Sequence, residues 1–460
     1  MSQPHTKDRS LDVTEGVIWQ QLLQLCVPIF VSSFFQQAYT LINTFIVGQF
    51  AGKAAVGGIQ ATMALTDLAV GFTVGVGAGC AVICGQYFGA HENEKLSASV
   101  HTAMSLALVG GLFFSAAGLL AIEPILRLMG TPADLLGESL AYGRCYFGAM
   151  IFSLVMNMGA GLLRAVGDSR TPSAIVAIGC VINISLDMVL VVGMDLEALG
   201  CGIATATALA ANATMTWVAL ARAKGAWRLD ARRLHIDPRI ACMMLLTGLP
   251  LGVQSAVYSV SNMIAQSAVN SFGSDAVTGW GLCGRIDGVI WMVSDALGVA
   301  VTTFSAQNFG ARNYRRMRRS LVEAAGLTLA IVCTMSACLF VFAEPLARIF
   351  LDDPTVTGFT TKMLRFVSPF YVFYSLGDNI SGMIRGSGES VRPMIITIMG
   401  TCVFRVVWLL AVVPLHHSIE SVLVSYPVTW GLTLLIFVWY YRHGHWLSRA
   451  ERHEQVVLGQ

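Results

Sequence analysis

Two stretches of the sequence repeat each other at one fixed offset. Arg164-Ala-Val-Gly167-Asp168-Ser-Arg170-Thr-Pro172 returns as Arg385-Gly-Ser-Gly388-Glu389-Ser-Val-Arg392-Pro393, 221 residues later. Gln86-Tyr87-Phe88-Gly89-Ala90 returns as Gln307-Asn308-Phe309-Gly310-Ala311 at the same offset, and Pro28 reappears as Pro250 at 222. The chain is two copies of one unit. Each copy is mostly apolar and too long for a soluble solenoid repeat, which points to a membrane transporter whose substrate path lies between two homologous bundles.

Only 12% of the 460 residues are charged and 55% are hydrophobic, against roughly 25% charged in an ordinary soluble protein. Runs of about 20 apolar residues, enough to cross about 30 Å of hydrocarbon, centre near residues 32, 70, 110, 149, 183, 210, 256, 290, 330, 371, 404 and 429. The expected fold is therefore all-α and integral to the membrane, with twelve transmembrane helices as two parallel six-helix bundles. The even number of spans per copy makes the halves parallel. The expected divisions are a tail at 1–16, bundles at 17–221 and 240–440, a basic linker at 222–239 and a tail at 441–460. If both termini share a side, that side holds 21 of the 29 Lys and Arg residues, and the other holds Lys53, Arg127, Arg348, Lys362 and Arg365. The positive-inside bias then places both tails and the linker in the cytoplasm, in a bacterial inner membrane.

Other classes fit poorly. The polar first sixteen residues and the long apolar run after them do not form a cleaved leader. The basic cluster Arg312, Arg315, Arg316, Arg318 and Arg319 lies between two spans of a chain with net charge +2, so it is not read as a nucleic-acid patch. Cys80 and Cys84 sit one turn apart without a second pair or a histidine at zinc spacing, so no metal is expected. Gly71, Gly75 and Gly79 are not followed by the Lys-Ser or Lys-Thr of a phosphate loop. Their spacing suits close approach of helices in lipid. With no nucleotide motif and no cofactor expected, uphill transport needs an ion gradient or a partner.

Ionisable residues inside spans cost about 2.5–3.5 kcal/mol each on insertion scales and are functional candidates by default. Asp67, Asp187, Asp287, Asp295 and Asp378 qualify. Asn183 and Asp187 share a face of the fifth span, the first span carries Ser32, Gln36, Thr40 and Asn43 at helical spacing, and Thr205 can join from the sixth. Together they make a polar chamber with one carboxylate, in which desolvation and hydrogen-bond donors compete to decide whether it exchanges a proton. The alternative is a carboxyl that only cross-links helices. In the second copy, Asp287, Trp291 and Asp295 step along the eighth span, and Tyr371, Tyr374, Asp378 and Arg385 share a face of the tenth. Asp378 and Arg385 are too far apart for a direct pair unless the arginine bends back, and Arg285 or Arg405 are alternative partners for these acids. Gln36, Tyr39, Gln266 and Tyr374 are expected to line a cavity whose methionines and aromatics suit varied apolar cations.

The repeated Arg-x-x-Gly-Asp/Glu-x-x-x-Pro element, Gln-x-Phe-Gly-Ala after the second and eighth spans, Asn183-x-x-x-Asp187, Gly284-Arg285-Ile286-Asp287 and Gly200-Cys-Gly-Ile-Ala-Thr205 together resemble the multidrug and toxic compound extrusion (MATE) family of antiporters. The resemblance covers essentially the whole chain. It implies two six-helix bundles, a V-shaped central cavity, and export of organic cations in exchange for protons or sodium. In many prokaryotic members a first-span aspartate, a fifth-span Asn/Asp pair and a sixth-span threonine form the ion site, and these positions fall on Asn43, Asn183, Asp187 and Thr205. The first-span acid is Asn43 here, so one carboxylate remains, a poorer match to a cation that wants several anionic oxygens. Protons are the expected coupling ion and sodium the alternative. The carboxylates of another branch's C-terminal sodium site do not map clearly; Tyr258 and Tyr374 occupy the approximate positions.

The expected partners are small organic substrates, the coupling ion and the bilayer, with the chain acting as a monomer. A flippase for a lipid-linked saccharide, from a related superfamily, is the runner-up, although few cations line the spans. A membrane-embedded enzyme is the distant alternative. Asp352-Asp353 is the sole adjacent acidic pair, and no in-membrane histidine is expected to pair with a serine.

Overall fold

The computed structural model describes residues 10–350 and 353–448. Asp352, both ends of the expected tails, and Lys7, Arg9, Arg449 and Arg452 lie outside these residues. The first copy folds as α1 (Ile18–Phe50), α2 (Gly52–Gly89), α3 (Asn93–Leu128), α4 (Ala133–Gly148), α5 (Met150–Ala165), α6 (Arg170–Asp187) continuing as a π-helical turn at Met188–Gly193, and α7 (Glu197–Ala221). The second folds as α8 (Pro238–Asn270), α9 (Ser274–Gly310), α10 (Tyr314–Val341), a short α11 (Ala343–Phe350), α12 (Pro354–Val367), α13 (Tyr371–Gly386), α14 (Val391–Thr397), a π-helical Ile398–Val403, α15 (Phe404–Ala411) and α16 (Ile419–His443). Each span of the second copy starts within one residue of its counterpart displaced by 221.

Ten spans, counting each π-helical turn with its flanking helices, are long and apolar enough to cross a bilayer, and α4 with α5 make another across a 45° bend. Their counterparts α12 and α13, joined through a 3-10 turn at Ser368–Phe370, complete twelve. Among the described residues there is no strand. Large apolar side chains such as Leu112, Phe113, Leu120 and Leu435 stand exposed on the helix surfaces, as a chain solvated by lipid requires.

The duplicated Arg-x-x-Gly element is a turn between spans. Gly167 and Gly388 adopt φ of +83° and +90°, a left-handed conformation that glycine takes without penalty. Asp168 then accepts from the N–H groups of Arg170 and Thr171 at 3.1 and 2.9 Å, satisfying orphan donors at the start of α6. Asp353 does the same for α12, accepting from Thr355 and Val356, so that acid is a helix cap.

The helices gather into two compact units. One comprises Val31–Gly252 with Asp12, and the other Val13–Phe30 with Val253 onward. The boundaries thus fall within α1 and α8, the two helices that carry Pro28 and Pro250 in their interiors. In the first unit α2 packs on α3, α4 and α5, and α7 on α4, α5 and α6. The start of α8 joins this unit because its glycines meet those of α2: a methyl on Gly75 would overlap the Gly252 backbone, and one on Gly79 the Gly248 backbone. The linker is docked too, with Asp230 N–H donating to His101 Nε2 and Asp237 N–H to Thr102 Oγ1, each at 3.1 Å. In the second unit α9 packs on α10, α12 and α13, and α13 on α16. Here Arg316, one of the basic cluster, donates to the carbonyls of Val13, Glu15 and Gly16 and to Gln21 Oε1. Gln307 and Asn308, from the second Gln-x-Phe-Gly element, bond to the backbone of Val13.

Candidate functional site

In the first unit Asp187 ends α6 where the helix widens into its π-helical turn, a local form found often at functional sites. The residue is completely buried. Asn183, one turn earlier, sets its amide 2.6 Å from Asp187 Oδ2 and 3.2 Å from Thr205 N–H, and these partners assign the amide nitrogen to the acid, to which it donates, and the amide oxygen to Thr205 N–H, from which it accepts. Asp187 Oδ1 has no hydrogen-bond partner. From α1, Asn43 donates to the Tyr39 hydroxyl at 3.1 Å and accepts from Cys201 Sγ at 3.5 Å. The Tyr39 and Tyr142 hydroxyls both face Thr205.

Four helices thus meet at one carboxylate: α1 with Tyr39 and Asn43, α4 with Tyr142, α6 with Asn183 and Asp187, and α7 with Cys201 and Thr205. The structure brings together the four residues expected at the ion site. Tyr142 and Cys201 are additions. Cys201 lies inside the Gly200-to-Thr205 motif, whereas Tyr142 carries no sequence signal that separates it from a packing aromatic. Gln36 and Thr40 are exposed on α1, and the Thr40 hydroxyl donates to the Gln36 carbonyl of its own helix. Asp67 is exposed on α2. A donor-free carboxylate oxygen costs about 1–3 kcal/mol when buried, and more if charged.

In the second unit the acids are separated by their partners. Asp287 Oδ2 accepts from the Tyr371 hydroxyl at 2.5 Å, and its Oδ1 has no partner. Arg385 does bend back, donating to Asp378 at 3.0 Å with both side chains largely buried. Asp295, exposed on α9, lies in electrostatic range of both. Neither Arg285 nor Arg405 pairs with a carboxylate among the described residues. Arg285 is exposed, and Arg405 is fully buried, with Nη1 donating to Asn262 Oδ1 at 3.1 Å. Around Asp287 lies an aromatic cluster: Trp291 meets Tyr371, Tyr374 and Trp430 with ring centroids at 5.6, 4.7 and 5.6 Å. Gln266, expected in a cavity wall, donates to Asn270 on its own helix.

The MatE family model matches residues 28–189 and 250–409, one copy each. A probable multidrug resistance protein of Bacillus subtilis, YoeA, is 28% identical over 435 residues, covering 92% of this chain and 94% of the relative. A protein of Shewanella oneidensis named as an FAD transporter is 26% identical, over 76% of this chain and 78% of its own. Among solved structures, the outward-facing conformation of a multidrug resistance MATE family transporter of the MOP superfamily superposes with a TM-score of 0.89 at 20% identity, covering 98% of this chain and all of that one.

Proposed function

The chain belongs to the MatE family of multidrug efflux transporters, and we propose that it is a secondary antiporter exporting organic compounds, cationic ones among them, in exchange for protons. Members of this family are transporters and not enzymes. The observation that carries the proton reading is the Asp187 carboxylate, buried with one oxygen held by Asn183 and the other without a donor. A proton on that oxygen removes a buried charge and relaxes the demand on Asn183 and Thr205.

Sodium is less well served. Such an ion prefers several oxygen ligands with more than one negative charge, and Asn43 supplies an amide where a second carboxylate would be needed. Neutralising the acid lets the first span shift, since that helix already lacks a backbone donor at Pro28 and bends there at low cost. Asp187, with Asn43, Asn183 and Thr205, is therefore assigned the coupling role, and export follows from proton and substrate favouring different states of the protein. Tyr39, Gln36, Gln266 and Tyr374 are assigned to the substrate path. The chain is placed as a monomer in a bacterial inner membrane with its termini and basic linker in the cytoplasm. The name of the Shewanella relative, carried to this chain, adds anionic aromatic solutes to its candidate substrates.

Purified protein in liposomes tests the reading. Efflux of a fluorescent cation should follow an imposed pH gradient and ignore a sodium gradient of equal size. Efflux driven by sodium alone would overturn the proton assignment.

A further inference from the structure

The fifth spans of the two copies carry opposite charges beside the same irregularity. In the first, Asp187 directly precedes the π-helical Met188–Gly193; in the second, Arg405 follows the π-helical Ile398–Val403 by two residues. The two do not correspond in the repeat: at the 221-residue offset Asp187 meets Trp408, and Arg405 meets Ile184. A duplicated helix has been reused with a cation where its twin holds an apolar side chain.

Arg405 is completely buried. Its guanidinium lies 4.1 Å from the centroid of the Tyr426 ring and 5.8 Å from that of Tyr258. The Tyr258 hydroxyl is the other group in hydrogen-bonding reach of the guanidinium besides Asn262, and Nε and Nη2 make no close hydrogen bond. One more buried donor of the same aromatic cluster also lacks an acceptor: the indole N–H of Trp430, whose ring stands 5.4 Å from that of Tyr426. Ring faces soften the isolation of a guanidinium but accept no N–H in its plane. A buried charge with N–H groups to spare and no counter-charge among the described residues is complementary to an anion. The half-buried rings of Tyr258, Tyr374 and Trp291 flank this region, and flat apolar faces beside a cation suit an aromatic body attached to the anionic group.

We propose that Arg405, with Trp430, forms a binding site for the carboxylate or phosphate group of an aromatic solute, whose ring lies against the Tyr258, Tyr374 and Trp291 cluster. The guanidinium offers the paired N–H groups that such a planar or tetrahedral oxyanion accepts. This site is independent of the coupling role given to Asp187, because it is defined by binding and not by transport.

Quenching of tryptophan emission by 4-nitrobenzoate, compared with the neutral 4-nitrobenzyl alcohol, reads the site in purified full-length protein. The wild type should bind the carboxylate about tenfold or more tightly than the alcohol, the size expected of a charge-assisted pair. Arg405→Gln should bring the two affinities together, and Arg405→Lys should keep part of the preference. Where Arg405→Gln does not fold, Asn262→Asp places a carboxylate against the guanidinium and should remove the preference while leaving binding of the alcohol in place. Equal affinity for the two compounds in the wild type overturns the proposal, as does a preference that survives either Arg405→Gln or Asn262→Asp.

Discussion

Asn183 donates to one oxygen of Asp187 at 2.6 Å while the other oxygen of the same carboxylate is buried without a donor. The two residues stand four apart on α6, so a change at the acid is passed to Asn183, and from it to the Thr205 backbone on α7 at 3.2 Å. Charging and neutralising the acid therefore alters how two helices of one unit are held together.

Removing the charge should leave the fold and stop the coupling. Asp187→Asn keeps the shape and a hydrogen-bonding side chain but cannot exchange a proton. In liposomes it should lose pH-driven efflux by tenfold or more, as expected for a lost essential proton carrier, while eluting as a folded protein. Normal transport by Asp187→Asn, with loss in Asp295→Asn or Asp378→Asn, would move the coupling site to the second unit.

The amide at position 43 separates proton from sodium. Asn43 donates to Tyr39 and accepts from Cys201, and Asn43→Asp exchanges that donor for a second negative charge facing the chamber of Asp187. Two carboxylates with the Thr205 hydroxyl approach the oxygen-rich set that a hard cation prefers. Efflux by this variant at fixed pH should rise with sodium, whereas the wild type should show no response. A sodium response already present in the wild type would count against the role given to Asn43.

Much of this architecture was legible because the repeat carries its own check. The spacing of Arg164 and Arg385 sets an offset that the start of every span obeys within a residue; helical spacing puts Asn183 and Asp187 on one face, and the family resemblance names Asn43 and Thr205 beside them. The partners of Arg405 and Arg385 were not legible. Whether a long side chain bends back seven residues or stays among rings depends on packing between helices, which spacing does not encode. Tyr142 is of the same kind: it lies on α4, which ends at Gly148 before the 45° bend into α5, and nothing in its spacing separates it from a packing aromatic. The unit boundary within α8 likewise follows from glycine contacts with α2, and the one within α1 goes with the bonds that tie Val13 to Gln307, Asn308 and Arg316, all between segments distant in sequence.

Those glycine contacts make a stability prediction. Gly75 faces the backbone of Gly252 with no room for a methyl group, whereas Gly48 has nothing within 4 Å of where its Cβ would be. Gly75→Val should force α2 from the start of α8 and cost about 1–3 kcal/mol or more, as overpacking generally does. Gly48→Ala should be close to neutral. Thermal unfolding in detergent compares them, and an unchanged midpoint for Gly75→Val would mean that the two helices are not held in contact there.

Arg385 and Asp378 make the last test, because a largely buried ion pair has a characteristic asymmetry. The pair is bonded at 3.0 Å along α13, and the Asp378 carboxylate occupies the space beside Gly298 on α9. Breaking a buried pair by removing one partner leaves an uncompensated charge and costs about 3–5 kcal/mol, whereas replacing both partners costs far less. Arg385→Gln alone should therefore lower stability substantially by orphaning Asp378 next to Asp295. Arg385→Gln combined with Asp378→Asn should recover most of the loss, since two amides can still hydrogen-bond across the same gap. Unfolding midpoints of the two single variants and the double variant complete the cycle. If the losses simply add, the two charges do not act as a pair. If the double variant is stable but no longer exports, Asp378 also serves transport.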